Sequence, residues 1–194
     1  MENRKKLILA SQSPRRRYLL EQAGLTFTVV PSAVDEALVA VCAPETYARR
    51  LAEAKAADVA RNYPDSWIIG ADTIVVIDGD ILGKPGSTTA ARRMLRQLSG
   101  QTHQVITAFA VCCEAAGHRH AETTTTAVTF KTLSAAEIEW YVQTREPFDK
   151  AGAYAIQGIG TFLVRSIHGS YTNVVGLPVC EVIEHLIAQG VVKV

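Results

Sequence analysis

Ser11, Ser13, Arg15, Arg16 and Arg17 fall in one stretch, Leu7 to Leu20, that reads LILASQSPRRRYLL. An apolar run stops at small hydroxyl residues and restarts as a basic helix, the pattern of a strand, a phosphate loop and a helix. Pro14 suits the first helical position, where its missing N–H has no intrahelical partner to lose, and Ser13 becomes the N-cap. The first-turn amides of such a helix point outward with about half a positive charge behind them, and the guanidinium groups add donors at the same end. Arginines at this end oppose the macrodipole and repel one another. An anion bound among them would offset that cost; the alternative is a solvated basic helix start.

Asp72 is the carboxylate that most needs an explanation. It interrupts WIIGADTIVVIDGDIL, Trp67 to Leu82, the strongest β signal in the chain. An ionised carboxylate in a mostly apolar strand costs roughly several kcal/mol if unpaired, so it requires a cation, a metal or a rim position. That requirement favours a functional role. Strand alternation sends Thr73 to the opposite face unless a bulge re-aims it. Lys55 lies in the alanine-rich helix PETYARRLAEAKAADVAR, Pro44 to Arg61, beside Ala54 and on the row of Leu51, at the apolar edge. It either snorkels or reaches into a cleft and holds a phosphate oxygen as a point charge.

Lys84, in the turn Gly83-Lys84-Pro85, is a second candidate phosphate contact. The surrounding GDILGK is only superficially similar to a Walker loop: the spacing between its glycines is one residue short, and Pro85 stands where Ser or Thr is needed. Asp35 and Glu36 follow Pro31 in an acidic loop whose simplest reading is solvation. Asp149 and Lys150 open a glycine-dense stretch, DKAGAYAIQGIGTFLVRSIHGSYTNVVGLP, with Gln157 inside it. Its glycines permit close backbone approach and tight turns between short strands, so it can wall a ligand pocket. His118 and His120 invite a metal reading, but no third ligand stands nearby in sequence, and they read as exposed turn residues.

The elements that must position these residues follow from periodicity and punctuation. Helix Pro14 to Ala23 turns Tyr18 and Leu19 inward and ends at Gly24; Phe27 to Val30 is a strand. Asp78-Gly79 is a type I′ hairpin dipeptide that folds Trp67 to Leu82 back on itself. A helix capped by Ser87 or Thr88 runs to Leu98 with Ala91, Met94, Leu95 and Leu98 inward. Two β runs, His103 to Cys113 and Glu122 to Lys131, form a hairpin around Ala116-Gly117. Ser134 and Glu137 form a capping box that opens a helix to about Arg145, and a last helix spans Pro178 to Gln189. This order of hairpins and helices predicts an α/β protein with a mixed twisted sheet and flanking helices.

Composition sets limits on the class. The 194 residues are 48% hydrophobic and 20% charged, enough for a real core in one globular domain or two small lobes. A net charge of +1 argues against general nucleic-acid binding, so any anion site is local. Cys42, Cys112, Cys113 and Cys180 show no CxxC spacing, which predicts reduced, mostly buried thiols in a cytoplasmic protein and no zinc site. The apolar run in MENRKKLILASQS is too short for a signal peptide or a membrane span.

Taken together, SQSPRR (Ser11 to Arg16), RLAEAKA with Lys55, GADTIV around Asp72, GKP at Lys84, LSGQTHQV (Leu98 to Val105), DKAGAYAIQG (Asp149 to Gly158) and VVGLP (Val174 to Pro178) resemble the Maf family of nucleoside triphosphate pyrophosphatases. The resemblance runs from about Leu7 to Ile187, so residues 1–194 read as a single Maf-like domain. It implies a fold similar to that of inosine triphosphate pyrophosphatases, two lobes around a deep cleft. It also implies cleavage of a nucleoside triphosphate between the α and β phosphates, with the help of Mg²⁺ or Mn²⁺. Arg15, Arg16, Lys55 and Lys84 match the family's phosphate-end cations, with Ser11 and Ser13 beside them. Asp72 matches its proton acceptor, and Glu36 or Asp149 would hold the metal; Asp72 itself could serve as base or as ligand.

Within the family, Thr73 and Gln157 resemble the branch acting on dTTP and UTP; the 7-methyl-GTP branch tends to carry SDQ and a glutamate at these positions. A glutamine amide offers donor and acceptor together and can pair with the O4 and N3–H of a pyrimidine. Ala155 departs from the glycine common in AYAIQG. The expected partners are the nucleoside triphosphate and a second copy of the chain in a homodimer, with no nucleic acid and no membrane. The competing expectations are a nucleotide-binding regulator of septum formation without turnover, and a purine house-cleaning pyrophosphatase acting on ITP or 7-methyl-GTP.

Overall fold

In the computed structural model, which describes residues 1–3 and 5–193, the chain runs β1 (Glu2–Asn3), β2 (Leu7–Leu9), α1 (Pro14–Gln22), β3 (Thr28–Val29), α2 (Pro44–Ala60), β4 (Trp67–Ile77), β5 (Asp80–Leu82), α3 (Thr88–Leu98), β6 (Thr102–Cys113), β7 (His118–Phe130), α4 (Ala135–Gln143), β8 (Val164–His168), α5 (Tyr171–Val175), α6 (Val179–Ala188) and β9 (Val192–Lys193). The main sheet has seven strands in the order β3-β2-β4-β6-β7-β8, with β5 paired to β4. It is mixed: β2 is parallel to both β3 and β4, while β5 on β4 and β8 on β7 are antiparallel. This is the α/β architecture with a mixed sheet expected from the order of elements. The chain divides into two compact units, one of residues 1–72, 107–124 and 176–194, the other of residues 73–106 and 125–175.

In the first unit, Gly70 determines how α2 lies on β4. A Cβ at Gly70 would stand 2.4 Å from the Ala52 carbonyl oxygen and 2.7 Å from the Ala56 amide nitrogen. Helix and strand backbones therefore touch, and only glycine facing alanines allows it. Ala48, Leu51, Ala52, Ala56, Val59 and Ala60 form the buried side of α2. On the same helix Tyr47 and Ala54 are only half-buried, because the close approach rotates the alanine row onto the strand. In α1 the buried residues are Arg16, Leu19 and Leu20; Tyr18, expected inward, is exposed and pairs with Gln22.

The histidines also depart from expectation. Strand β7 begins at His118, so His118 and His120 lie on one face of a strand and are half-buried. His185 of α6 joins them: its Nε2 lies 3.0 Å from His118 Nε2, and its ring stacks on His120 at 4.0 Å. Stacked rings do not converge on a point, and among the described residues no group of three or more His, Cys, Asp or Glu is placed to hold a metal. All four cysteines are unbridged, as expected, but Cys42 is half-buried and Cys180 exposed. Among the described residues no helix is long and apolar enough to cross a membrane.

The second unit has its own core, built from Val75, Ile77, Leu95, Leu98, Phe130, Tyr141 and Leu163, among others. The hairpin turn is as expected, with Asp78 and Gly79 both at positive φ, 52° and 86°. The capping box at Ser134 and Glu137 is present. The glycine-dense stretch is mainly 3-10 turns, Glu146–Asp149, Ala151–Ala153 and Gly158–Leu163, with β8 as its strand. Buried in this core, His103 shares a 2.7 Å hydrogen bond with the Tyr154 hydroxyl.

Two expected outcomes follow. Gly70→Ala forces backbone apart and should lower stability by about 1–3 kcal/mol, read as a lower urea midpoint. His185 is pushed down to about 4 by burial and by His120 and His118, and His103 to about 4 by burial, from an ordinary value of 6.5. Protons then bind the unfolded chain first, so stability is full above about 6.5 and falls as pH drops through about 4. Urea unfolding should show a lower stability at pH 5 than at pH 7, and His185→Gln should shrink that difference.

Candidate active site

The basic helix start forms as its sequence dictates. Ser13 caps α1, its hydroxyl accepting the Arg16 amide at 3.4 Å, and Pro14 opens the helix. The arginines then separate by environment. Arg17 is exposed and pairs with Glu21 one turn on, at 2.7 Å. Arg16 is buried; its Nε donates to the Gly176 carbonyl at 2.8 Å and its Nη1 to the Ser11 hydroxyl at 3.2 Å. Ser11 also accepts the Ser13 amide at 3.2 Å. Arg15 is half-buried. Burial pushes the Arg16 guanidinium below its ordinary value; Asp72 opposes this and Arg15 adds to it.

On α2, Lys55 reaches off the apolar edge and binds two carboxylates at once, Asp72 at 2.6 Å and Glu36 at 2.7 Å. The Gly70 contact makes this possible. Gly70 and Asp72 are two residues apart on β4 and so share a face, while Lys55 directly precedes Ala56, whose amide touches Gly70. The Asp72 side chain is 11% exposed and that of Glu36 50%. Burial pushes the Asp72 carboxyl above its usual range; Lys55 and Arg16 pull it down, and Glu36 pushes it further up. Glu36 begins a 3-10 turn, Glu36–Leu38, capped by Asp35, whose carboxylate accepts the Ala37 amide at 3.0 Å.

Ser11, Ser13, Arg15, Arg16, Glu36, Lys55 and Asp72 all belong to the first unit. Thr73, Lys84, Asp149 and Gln157 belong to the second. There, Lys84 is exposed after β5, Thr73 and Gln157 are half-buried, and Asp149 takes the Lys150 ammonium at 2.5 Å. Tyr47 of α2, which was not among the site residues expected from the sequence, lies in the field of the carboxylates: burial, Asp72 and Glu36 all push its phenol up, against Lys55. Its spacing of eight residues from Lys55, two helical turns, was the available signal.

The fold and these charges define a mixed α/β protein whose first unit sets a buried carboxylate among a lysine and a basic helix start. The chain belongs to the Maf family, whose model, described as "Maf-like protein", matches residues 6–189. It is 49% identical over 193 residues to a protein of Geotalea uraniireducens named dTTP/UTP pyrophosphatase, with 100% of both chains covered. A protein of Moorella thermoacetica with the same name is 51% identical over 186 residues, covering 96% of each. Among solved structures, the Staphylococcus aureus Ham1 protein aligns with a TM-score of 0.45 at 13% identity, over 82% of this chain and 80% of that one.

The Lys55 bridge gives a direct test of what holds the site. Lys55→Met leaves Asp72 buried beside Glu36 without its ammonium and should cost about 3 kcal/mol in urea unfolding. Asp72→Asn added to Lys55→Met should recover most of that loss.

Proposed function

We infer that this chain is a nucleoside triphosphate pyrophosphatase that hydrolyses dTTP and UTP to the monophosphate and pyrophosphate. The observation that carries the reading is Asp72, a carboxylate buried in an apolar strand, raised in pKa by that burial and still held 2.6 Å from Lys55. A carboxylate above its usual range is a better proton acceptor than an ordinary one, and the lysine orients it. The relatives of about 50% identity, each named dTTP/UTP pyrophosphatase, give the substrate class.

In this reading Asp72 takes a proton from water as the water oxygen bonds to the α-phosphorus. The bond from the α-phosphorus to the bridging oxygen breaks, and pyrophosphate leaves with its electron pair. Arg15, Lys55 and Lys84 neutralise the phosphates, and Arg16 adds its field while fixing Ser11 and the Gly176 carbonyl. Ser11 and Ser13 offer hydroxyls at the same helix start. Glu36 and Asp72, drawn to one ammonium, are a fitting oxygen set for Mg²⁺ or Mn²⁺, which bind through one or two carboxylates and substrate phosphates. Asp149 is the alternative metal ligand. A bound divalent ion would supply charge neutralisation at the phosphates. Thr73 and Gln157 select the base, Gln157 pairing its amide with the O4 and N3–H of the pyrimidine.

The test is pyrophosphate release from dTTP, UTP, CTP, GTP, 7-methyl-GTP and ITP with Mg²⁺ or Mn²⁺. Turnover of dTTP and UTP should fall by a factor of about 10³ or more in Asp72→Asn, with nucleotide binding retained, and Gln157→Glu should erode the pyrimidine preference. Binding without turnover of any nucleotide would replace this reading with that of a regulator. Preferential turnover of ITP or 7-methyl-GTP would replace it with that of a purine pyrophosphatase.

A further inference from the structure

The proposed reaction leaves Glu146 without a part, yet its carboxylate accepts three hydrogen bonds from the second unit. It stands at the start of the 3-10 turn Glu146–Asp149. Oε1 accepts the Tyr141 hydroxyl at 2.8 Å and the Gly160 amide at 2.8 Å; Oε2 accepts the Ile159 amide at 3.0 Å. The same Tyr141 hydroxyl accepts the Ala155 amide at 3.2 Å. One carboxylate and one phenol thus hold backbone N–H groups on both sides of Gln157. Thr161 closes the loop from within, its hydroxyl donating to the Gly158 carbonyl at 2.7 Å.

The glycines around Gln157 fit this arrangement. A Cβ at Gly158 would stand 2.6 Å from Glu146 Oε2, and one at Gly160 would stand 2.6 Å from the Tyr141 hydroxyl and 2.4 Å from the Ala155 carbonyl. Gly158 also has φ of 70°, which favours glycine. Successive amides converging on an anion form a nest, and bonds to an ionised acceptor are roughly twice as strong as neutral ones. The carboxylate occupies the space that side chains would fill.

We propose that Glu146 is a positioning residue for base recognition: it fixes the loop that carries Gln157, so that the glutamine amide meets the nucleobase in one orientation. This rests on the reading of Gln157 given under Proposed function. Pairing with O4 and N3–H demands that the carbonyl and NH₂ of the amide be in register with the base, and a loop free to shift loses that register while the phosphate end is unaffected. Glu146 acts through the loop and takes no part in the chemistry.

The test compares wild type, Glu146→Gln, Gln157→Ala and the double variant, by pyrophosphate release from dTTP and GTP and by calorimetric titration with the same nucleotides. Glu146→Gln puts an NH₂ among backbone donors. It should raise KM for dTTP about tenfold with kcat within about twofold, and lower the dTTP-over-GTP preference by a similar factor. The double variant should be no worse than Gln157→Ala alone. Should Glu146→Gln melt below the assay temperature, Tyr141→Phe removes one donor, keeps the carboxylate, and should shift KM and preference the same way by less. Additive losses in the double variant, or a fall in kcat at constant KM, would overturn the role of Glu146 while leaving Gln157 as base reader. An unchanged dTTP-over-GTP preference in Gln157→Ala would overturn the reading of Gln157 itself, and this proposal with it.

Discussion

A single ammonium group determines the chemistry available in the first unit. Lys55 Nζ lies within 2.7 Å of both Glu36 and Asp72, and the buried Asp72 is the carboxylate that depends on that cation. Burial of Asp72 costs several kcal/mol, roughly, unless a counter-charge accompanies it into the interior. Lys55 can accompany it only because α2 lies flat on β4, and α2 lies flat only because Gly70 has no Cβ to meet the backbone at Ala52 and Ala56. A steric fact on one strand residue thus fixes an electrostatic one two residues further along.

In the second unit, neutral and backbone-directed polar groups stand beside charged pairs such as Arg92 with Glu139 at 2.7 Å. Asn173, fully buried, donates to the Val105 carbonyl at 3.0 Å and to the Thr126 hydroxyl at 2.8 Å. Thr126 in turn takes the Ser170 amide at 3.0 Å. With the His103 and Tyr154 pair, these contacts tie the short helix α5, the loop before it and the backbone near Tyr154 to strands β6 and β7. Such segments carry recognition residues well, because a loop held by side chains can present an amide at an angle that a strand cannot.

What the sequence made legible was whatever depends on neighbours along the chain. The Ser13 cap, Pro14 start, Asp78-Gly79 turn and capping box at Ser134 are local chemistry, and each is present. The need of Asp72 for a cation was legible from its apolar strand, and Lys55 from its place at the helix edge. The separate fates of Arg15, Arg16 and Arg17 were not, because the partner of Arg16 is the Gly176 carbonyl, 160 residues away. His118 and His120 lacked a third partner for the same reason: His185 arrives only when α6 packs. The glycine-dense stretch was legible as a place of close approach, but what approaches is a carboxylate at Glu146, and spacing alone does not name it. The expected short strands there became 3-10 turns because the amides of residues 159 and 160 are taken by that carboxylate and are not left for a ladder.

The two bonds of Lys55 are unequal, and the inequality has a direction. Glu36 is half exposed, so solvent and salt screen its attraction to the ammonium. Asp72 is almost wholly enclosed, so its bond to Lys55 is screened little, and breaking it would leave a buried charge alone. In the proposed reaction an incoming polyphosphate would compete for the same ammonium, and it would displace the exposed partner at smaller cost than the buried one. On the proposed reading Glu36 would then be the carboxylate that turns toward a divalent ion, and Asp72 would keep its place and its counter-charge. A base must stay fixed relative to the water it deprotonates, and a metal ligand must yield to the ion that arrives with the substrate. On that reading the difference in burial between the two carboxylates would suit Glu36 to the ion and Asp72 to the water.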